Sequence, residues 1–224
     1  MRIGGVDGVP GGWVVCVLSG SGAAREVTWT VVPDAASVLA ATAGCDAVGV
    51  DIPLSVPTGA QRREAEILAS ARLGRARSSL FPTPPAPVLD AQTYEEACAA
   101  ARAVTGKKIS LQTWHIVGKI REFQQVRLPS SVVETHPELS FRTMAPSVAF
   151  ASKKTARGAG QRVAALSGWV PSAASLGDLP TAARLDDVLD ALACAWTAER
   201  VARGTAEVLG PGTDALGRSA AIAV

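Results

Sequence analysis

The sequence predicts an α/β domain, and two features of its pattern carry that prediction. The first 52 residues contain short, β-branched apolar runs separated by glycine-rich turns, with one short helical stretch among them. Residues 55–127 instead repeat apolar side chains at helical spacing, and one further strand and more helices follow. We therefore expect one domain over residues 1–203, a five-stranded sheet flanked by helices, with a helical insertion at about 55–127 after the fourth strand. Residues 204–224 are expected to form a loose tail.

Three strands come first along the chain. Residues 2–7 are an apolar run that ends in a carboxylate, and glycine and proline at 8–12 then make a tight turn. Residues 13–19 are β-branched and apolar, and residues 26–32 alternate apolar with polar side chains. The short turns between these runs predict an antiparallel meander.

A short helix and a buried strand follow. Asp34 is a suitable N-cap for a helix over residues 35–43, which Gly44 ends. Residues 47–52 are apolar except for Asp51, as in a central strand that is covered on both faces.

The remaining elements are mostly helical. Helices are predicted at residues 60–73, 93–104 and 111–126, with a proline-rich loop at 81–85. In the third of these helices apolar residues recur every three positions and mark one buried face. The later elements are a short strand at 131–134, a helix that starts at Pro137, a basic segment at 153–162 followed by an Ala/Gly/Ser-rich connection, and a strong helix at 181–203.

The composition excludes several classes of protein. No run approaches the roughly 20 apolar residues of a membrane span, and Asp7 carries a charge where a signal peptide would be apolar. We therefore expect a cytoplasmic protein with no membrane contact. The four cysteines lie far apart and there are only two histidines, so any metal is expected to be a hard ion held by carboxylates.

The net charge of +2 is unevenly distributed along the chain. Residues 1–60 and 166–224 each carry a net charge of −3, whereas residues 61–127 carry +5 and residues 151–165 carry +4. This polarity suits an anionic substrate held by one part of the fold while carboxylates and a cation act from another. Solvated basic helices are the structural alternative.

Carboxylates that lie far apart in the sequence are the strongest candidates for a site. Asp7 and Asp51 each end a predicted strand, so in neighbouring strands both side chains project towards the same edge of the sheet. Their charges would repel unless a divalent cation lay between them. In the last helix Asp187 and Asp190 stand three residues apart, on the edge of the buried stripe, and face the strand ends together.

Each of these acids also has a purely structural interpretation. Asp7 fits a turn-forming Asp-Gly pair, and Asp51 fits a local cap before Pro53. Asp187 lies in the first turn of its helix, where an acid complements the helix dipole. Asp190 lies beyond that turn, so the dipole does not explain it.

Five short motifs together closely resemble a family of bacterial and archaeal proteins that are predicted to be RNase H-like nucleases. The motifs are IGGVDG at 3–8, VGVDIP at 48–53, SSLFPTP at 78–84, ETHPELSF at 134–141 and DDVLDA at 186–191. The resemblance covers about residues 1–203, and the last motif also looks like that of Holliday-junction resolvases. It implies an RNase H-like fold with a mixed five-stranded sheet.

The resemblance also implies which acids bind metal. By resemblance, Asp7, Asp51, Asp187 and Asp190 hold two Mg²⁺ or Mn²⁺ ions. Asp51 is one methylene shorter than the glutamate that many RNase H-like nucleases have in this place, which would alter the metal spacing. Glu134 is either a further ligand or a cap for the helix that starts at Pro137. His136 either orients a phosphate or a water or is a packed, hydrogen-bonded residue.

The function that these features predict is a metal-dependent nuclease, which cleaves phosphodiester bonds by a two-metal-ion carboxylate mechanism. Its partner would be a nucleic acid of a type that the sequence leaves open, as it does the oligomeric state. The candidates for contact with the substrate are Arg72, Arg75, Arg77, Ser78, Ser79, His136, Lys153, Lys154 and Arg157.

Two alternatives stay open. A binding module for nucleic acid or protein would keep the fold without catalysis, although the 4% aromatic content offers few stacking platforms for single strands. A phosphotransferase of the actin-like superfamily would also start with an Asp-Gly turn after its first strand. Such enzymes contain two such domains and are usually longer than this chain.

Overall fold

The computed structural model describes residues 1–171, 176, 179–214 and 218–224. Within that part of the chain there are seven strands and seven α-helices. The strands are β1 (Ile3–Val9), β2 (Gly12–Ser19), β3 (Glu26–Val32), β4 (Ala47–Val50), β5 (Val132–Thr135), β6 (Val208–Leu209) and β7 (Ile222–Ala223). The helices are α1 (Ala35–Ala41), α2 (Glu64–Leu73), α3 (Tyr94–Thr105), α4 (Leu111–Gln125), α5 (Pro137–Met144), α6 (Ala156–Ser167) and α7 (Leu185–Ala202).

The strands form one mixed sheet in the order β3-β2-β1-β4-β5-β7-β6. The strand β2 is antiparallel to both β1 and β3, whereas β4 runs parallel to β1 and to β5. The α/β class and the antiparallel meander of the first three strands are therefore confirmed.

The predicted number of five strands is wrong, because the described residues contain two more, β6 and β7. They lie in the segment that the sequence pattern assigns to a loose tail. There the backbone of Glu207 exchanges two hydrogen bonds with that of Val224, at 3.0 and 2.9 Å, and Val224 is fully buried. Strands of two residues are too short to show an apolar alternation, so their sequence carried no signal.

Most helix boundaries follow the capping signals in the sequence. Asp34 accepts a hydrogen bond from the backbone N–H of Ser37, as predicted for the start of α1. The helix α6 was not predicted, since its sequence is a basic segment followed by small residues. It starts where the Thr155 side chain accepts a hydrogen bond from Gly158 N–H at 3.1 Å, and it buries Arg162 and Leu166.

The chain divides into two compact units. The first unit comprises residues 1–51, 129–207 and 223–224, and the second comprises residues 52–128 and 208–222. The predicted helical insertion at about 55–127 corresponds to α2, α3 and α4, all of which lie in the second unit.

In the first unit, α7 packs directly on the centre of the sheet. A Cβ atom added to Gly5 in β1 would lie 2.1 Å from the carbonyl oxygen of Ala191, and one added to Gly49 in β4 would lie 2.3 Å from that of Cys194. Because neither glycine carries a side chain, the helix backbone rests against the strand backbones. This packing fixes α7 over the two central parallel strands.

The second unit has its own small core and a buried ionic network. Arg63 forms a salt bridge with Glu66 at 3.5 Å, and the Glu66 carboxylate also accepts hydrogen bonds from the backbone and the hydroxyl of Thr83. The network ties the proline-rich loop to α2. A separate apolar cluster that includes Val88, Ala101, Val117 and their neighbours joins α3 to α4.

None of the helices in the described part of the chain has both the length and the apolar character needed to cross a bilayer. All four cysteines are free thiols, and Cys16, Cys98 and Cys194 are buried. These three thiols therefore act as small core side chains.

Candidate active site

Three neighbouring strands bring acidic residues to one edge of the sheet. Val6 in β1 and Val50 in β4 form the last parallel pair, and Asp7 and Asp51 directly follow them. The backbone N–H of Asp51 donates to the carbonyl oxygen of Val6 at 3.0 Å, so the two strands are still joined at this point. On the other side of β4, Val50 is paired with Glu134 of β5. The strand register therefore places Asp7 and Asp51 side by side, with Glu134 one position earlier, level with Val50.

The helix α7 adds a fourth acid from above the sheet. Asp190 immediately precedes Ala191, whose carbonyl oxygen lies against Gly5. The Asp190 side chain is 4% exposed, so its carboxylate lies inside the protein. Because Gly5 has no side chain, α7 lies close to β1, and Asp190 of α7 therefore reaches the strand ends.

The carboxylates of Asp7, Asp51 and Asp190 repel one another. Burial raises the pKa of Asp7 well above its ordinary value, and the charges of Asp51 and Asp190 raise it further. Burial, followed by the charge of Asp190, raises the pKa of Asp51 to about 7, and Glu134 adds to this shift. Burial also raises the pKa of Asp190. We call Asp7, Asp51 and Asp190 the acid cluster.

One cationic side chain enters the acid cluster. The Nζ atom of Lys153 forms an ion pair with Oδ2 of Asp190, and the lysine side chain is 39% exposed. Burial lowers the pKa of Lys153, but the carboxylates of Asp190, Asp7 and Asp51 outweigh that effect and raise it above its ordinary value. The Lys153 ammonium group therefore interacts with all three carboxylates, and Arg162 adds a smaller interaction with Asp190.

The other two acids of the last motif stabilise the start of α7. A carboxylate oxygen of Asp187 accepts a hydrogen bond from the backbone N–H of Arg184 at 3.1 Å, and Asp186 pairs with Lys154. Both contacts belong to the structural role that was the alternative for these residues. Of the acids in this motif, Asp190 is the one that joins the acid cluster through the contacts described above.

Glu134 and His136 lie beside the acid cluster. Glu134 is in β5, and His136 directly follows that strand. Glu134 is 4% exposed and lies inside β5, whereas the cap position of α5 is His136. The backbone carbonyl of His136 accepts hydrogen bonds from Leu139 and Ser140, which start the helix. The position of Glu134 favours the site role over the capping role that the sequence left open.

The chemistry of these side chains suits a hard divalent cation. The acids offer carboxylate oxygens, the ligands that Mg²⁺ and Mn²⁺ prefer. A bound cation would also relieve the repulsion between the carboxylates. In the described ranges, no three His, Cys, Asp or Glu side chains are placed close enough together to hold an ion as they stand. The oxygen chemistry of these side chains suits a metal, but in the present arrangement Lys153 pairs with Asp190.

A family model described as "Protein of unknown function (DUF429)" matches residues 5–215. The chain belongs to this family. The matched range contains the acid cluster, Glu134 and Lys153, so the site lies wholly within the part of the chain that the DUF429 model covers. Comparisons with curated proteins and with solved structures gave no match.

The basic residues that were predicted to contact substrate lie in both units of this DUF429 protein. Arg72 is in the last turn of α2, and Arg77 and Ser79 are in the 3-10 helix Gly74–Ser79 of the second unit, all with exposed side chains. Lys153 and Lys154 are in the first unit, and both pair with acids of α7.

A second group of cations was not predicted from the sequence. Arg62, Lys107 and Lys108 line a cavity of about 450 Å³ in the second unit, whose wall includes the prolines at 82, 84 and 85. The described lining residues include no acid. The sequence signal that would have indicated this cavity is the Lys107-Lys108 pair close to the cap of α4 at Ser110, in a region of net positive charge.

The raised pKa of Asp51 predicts how the stability of the metal-free protein depends on pH. In the unfolded chain Asp51 loses its proton near pH 4, but in the folded protein it does so near pH 7. The unfolded state therefore binds fewer protons between these values, and the contribution of Asp51 to the free energy of unfolding falls as the pH rises from about 4 to about 7. It should be constant outside this window.

Urea denaturation of wild type and Asp51→Asn at a series of pH values measures this contribution. The variant should become more stable relative to wild type as the pH rises from about 4 to about 7. The difference between the two proteins is the readout because acids with lowered pKa values, such as Asp186, act in the opposite direction. A difference that stays constant with pH would contradict the placement of Asp51 in a buried group of acids.

Proposed function

We propose that this DUF429 protein is a metal-dependent nuclease with an RNase H-like fold. The observation that carries the proposal is the convergence of Asp7, Asp51 and Asp190 from β1, β4 and α7, with raised pKa values for all three. Asp7 lies in the first strand just beyond its pairing with β4, Asp51 follows the fourth strand and Asp190 lies on the last long helix. The sequence resemblance implies acids in these elements for RNase H-like nucleases. The mixed sheet with its flanking helices also supports the proposed relationship to RNase H-like nucleases.

The carboxylates of Asp7, Asp51 and Asp190 would hold Mg²⁺ or Mn²⁺, with Glu134 next to them on β5. Bound ions of this type supply a water of lowered pKa and stabilise the leaving oxygen of a phosphodiester. The chain itself keeps Asp7 and Asp190 buried and Asp51 half-buried, and the register of β1 with β4 holds Asp7 beside Asp51. Asp187 does not need to act as a ligand for this arrangement to work, because it is engaged at the start of α7.

Hydrolysis of a nucleic acid also needs a surface that binds the phosphate backbone. The second unit supplies cations for this purpose at the cavity lined by Arg62, Lys107 and Lys108. Each phosphate contact that a cation neutralises makes binding more sensitive to salt. The nucleic-acid type stays open, because phosphate contacts carry no information about base or sugar.

Replacement of Lys107 and Lys108 by glutamine should weaken binding of any oligonucleotide and reduce its salt dependence. Loss of two phosphate contacts lowers the slope of log Kobs against log salt by about 1.5 to 2. Fluorescence anisotropy at several salt concentrations, in the presence of EDTA, measures this. The control is Arg102→Gln, an exposed cation on α3 that is not part of the cavity lining. An unchanged slope in the double variant would show that this cavity does not bind the oligonucleotide.

The wild-type protein provides the test of the proposed function. It should bind Mn²⁺ in a calorimetric titration at about pH 8, above the pKa of about 7 at Asp51. It should also cleave at least one member of a panel that contains single-stranded, duplex, hybrid and branched DNA and RNA. EDTA should abolish the cleavage. Failure of the protein to cleave any member of the panel would overturn the proposal, whether or not it binds Mn²⁺.

A binding module without catalysis is the second candidate, and the ion pair of Lys153 with Asp190 favours it. In such a protein the lysine would be a permanent partner of the acid cluster. The same titration and panel distinguish the two, since a module binds oligonucleotide but neither takes up Mn²⁺ nor cleaves.

A further inference from the structure

The segment that carries Lys153 has a well-anchored backbone. It joins α5 to α6, and side chains of α6 hold it on one side: the Arg162 guanidinium donates to Ala151 O at 3.0 Å, and Gln161 Oε1 accepts from Ala151 N–H at 2.7 Å. On the other side, Thr155 N–H donates to Ser152 O at 3.0 Å. The backbone around Lys153 is therefore held in place, and the Lys153 side chain can move without it.

The side chain of Lys153 reaches from solvent to a buried acid. It is 39% exposed along its length, whereas the Asp190 side chain that it contacts is 4% exposed. A lysine stem is flexible and is easily solvated, so the ammonium group can leave Asp190 for water without a shift of the backbone. The carboxylate of Asp190 has no such freedom, because α7 is packed against β1 at Gly5.

The charges around Lys153 leave the acid cluster undercompensated. When Asp7, Asp51 and Asp190 are ionised, the Lys153 ammonium group interacts with all three carboxylates. Arg162 adds a smaller interaction with Asp190, but it is itself paired with Glu138 at 2.6 Å. A buried carboxylate without a counter-charge is strongly destabilising. Lys153 therefore supplies part of the positive charge that the cluster requires, but a divalent cation would supply more.

We propose that Lys153 is a displaceable counter-ion, which pairs with Asp190 in the metal-free protein and gives up that carboxylate when a divalent cation binds. The inference rests on the proposed function for the identity of the ion as Mg²⁺ or Mn²⁺. The Oδ2 atom of Asp190 binds a metal less strongly while it is paired with the Lys153 ammonium group. Lysine and metal therefore compete for one oxygen. Once released, the ammonium group stays beside the site, where a substrate phosphate is its natural partner.

The neighbouring Lys154 provides a matched control for this competition. It lies next to Lys153 in the sequence and pairs with an acid of the same helix, Asp186. Its side chain is 63% exposed, and Asp186 lies in the first turn of α7, outside the acid cluster. A change at Lys154 therefore alters the charge of the segment by the same amount without touching Asp190.

The experiment compares Lys153→Met with Lys154→Met and wild type at one pH, near 8. Calorimetric titration with MnCl₂ should give an affinity that is at least about tenfold higher for Lys153→Met, because the competing cation is gone. Thermal denaturation in EDTA should give a lower Tm for Lys153→Met, and excess Mn²⁺ should close that gap. Lys154→Met should match wild type in both measurements. Lys153→Arg, which keeps the charge, should bind Mn²⁺ no more tightly than wild type.

Equal or weaker Mn²⁺ binding by Lys153→Met than by wild type would overturn the inference, as would an absence of Mn²⁺ binding in both proteins. If Lys153→Met does not fold, Mn²⁺ binding by Lys153→Arg that is tighter than that of wild type would also overturn it. Failure of the proposed function has a different signature, since it requires that no substrate is cleaved. Wild type that cleaves, with no gain of affinity in Lys153→Met, refutes the inference alone. Tighter binding by Lys153→Met, with no cleavage by any variant, refutes the nuclease alone.

Discussion

Asp7→Asn is expected to lower metal-dependent hydrolysis by on the order of a thousandfold, equivalent to about 4 kcal/mol of transition-state stabilisation. Asp7 is buried at the end of the parallel pairing of β1 with β4, and its charge interacts with those of Asp51 and Asp190. An asparagine keeps the shape of the side chain but removes one of the charges that would bind a cation. Affinity for oligonucleotide in EDTA should change by less than about twofold, since the phosphate contacts lie elsewhere.

Single-turnover cleavage in Mn²⁺ and anisotropy in EDTA separate these two effects. The matched control is Asp186→Asn, which changes charge by the same amount in the first turn of α7 and removes the pairing with Lys154. The metal-free Asp7→Asn protein should also have a higher Tm than wild type near pH 8, because the raised pKa of Asp7 means that its ionised form destabilises the fold. A parallel loss of oligonucleotide binding and of cleavage would show that Asp7 has no specific role in chemistry.

Gly5→Ala should destabilise the protein by about 3 kcal/mol or more, the upper range for overpacked cores. The added Cβ atom would lie 2.1 Å from the carbonyl oxygen of Ala191 and 2.6 Å from the backbone nitrogen of Ala195. Both are backbone atoms of α7, so no rotamer change can relieve the clash, and the helix has to move away from β1. Because Asp190 precedes Ala191, the same movement should weaken Mn²⁺ binding.

Gly118→Ala is the control for this prediction. Gly118 is an exposed residue inside α4 with no heavy atom within 4 Å of an added Cβ atom, so alanine should stabilise the helix by about 0.5–1 kcal/mol. Urea denaturation of both variants measures the two changes, which should have opposite signs. A loss of less than about 1 kcal/mol in Gly5→Ala would mean that α7 shifts easily, and the close packing would then not be what positions Asp190.

Local signals in the sequence predicted most of the first unit. The strands β1 to β4 follow from apolar runs separated by glycine, and Asp34 starts α1 through the hydrogen bond that its position suggested. These signals are reliable here because strand alternation and helix caps act over only a few residues. The helix α6 escaped prediction because basic and small residues dominate its sequence, although Thr155 is a suitable cap and Ala159, Val163 and Leu166 recur at helical spacing.

The candidate site was predictable in part. The sequence indicated Asp7, Asp51 and Asp190, because each carboxylate stands where strand ends or helix geometry would expose it to the others. It also indicated Asp187, which the structure engages at the start of α7, and it assigned Lys153 to the substrate, whereas Lys153 pairs with Asp190. Pairing of a lysine with an acid that is remote in the sequence leaves no local pattern to detect.

Composition, periodicity and capping residues sufficed to establish the α/β class, the order of most elements and the short set of acids worth considering. Those properties depend on interactions between near neighbours in the chain, which a linear sequence displays directly. The partner of each acid depended instead on three-dimensional packing: the register of β4 between β1 and β5, the close approach of α7 at Gly5, and the reach of Lys153 into the acid cluster. Charges interact according to distance in space, and only the folded chain brings these side chains together.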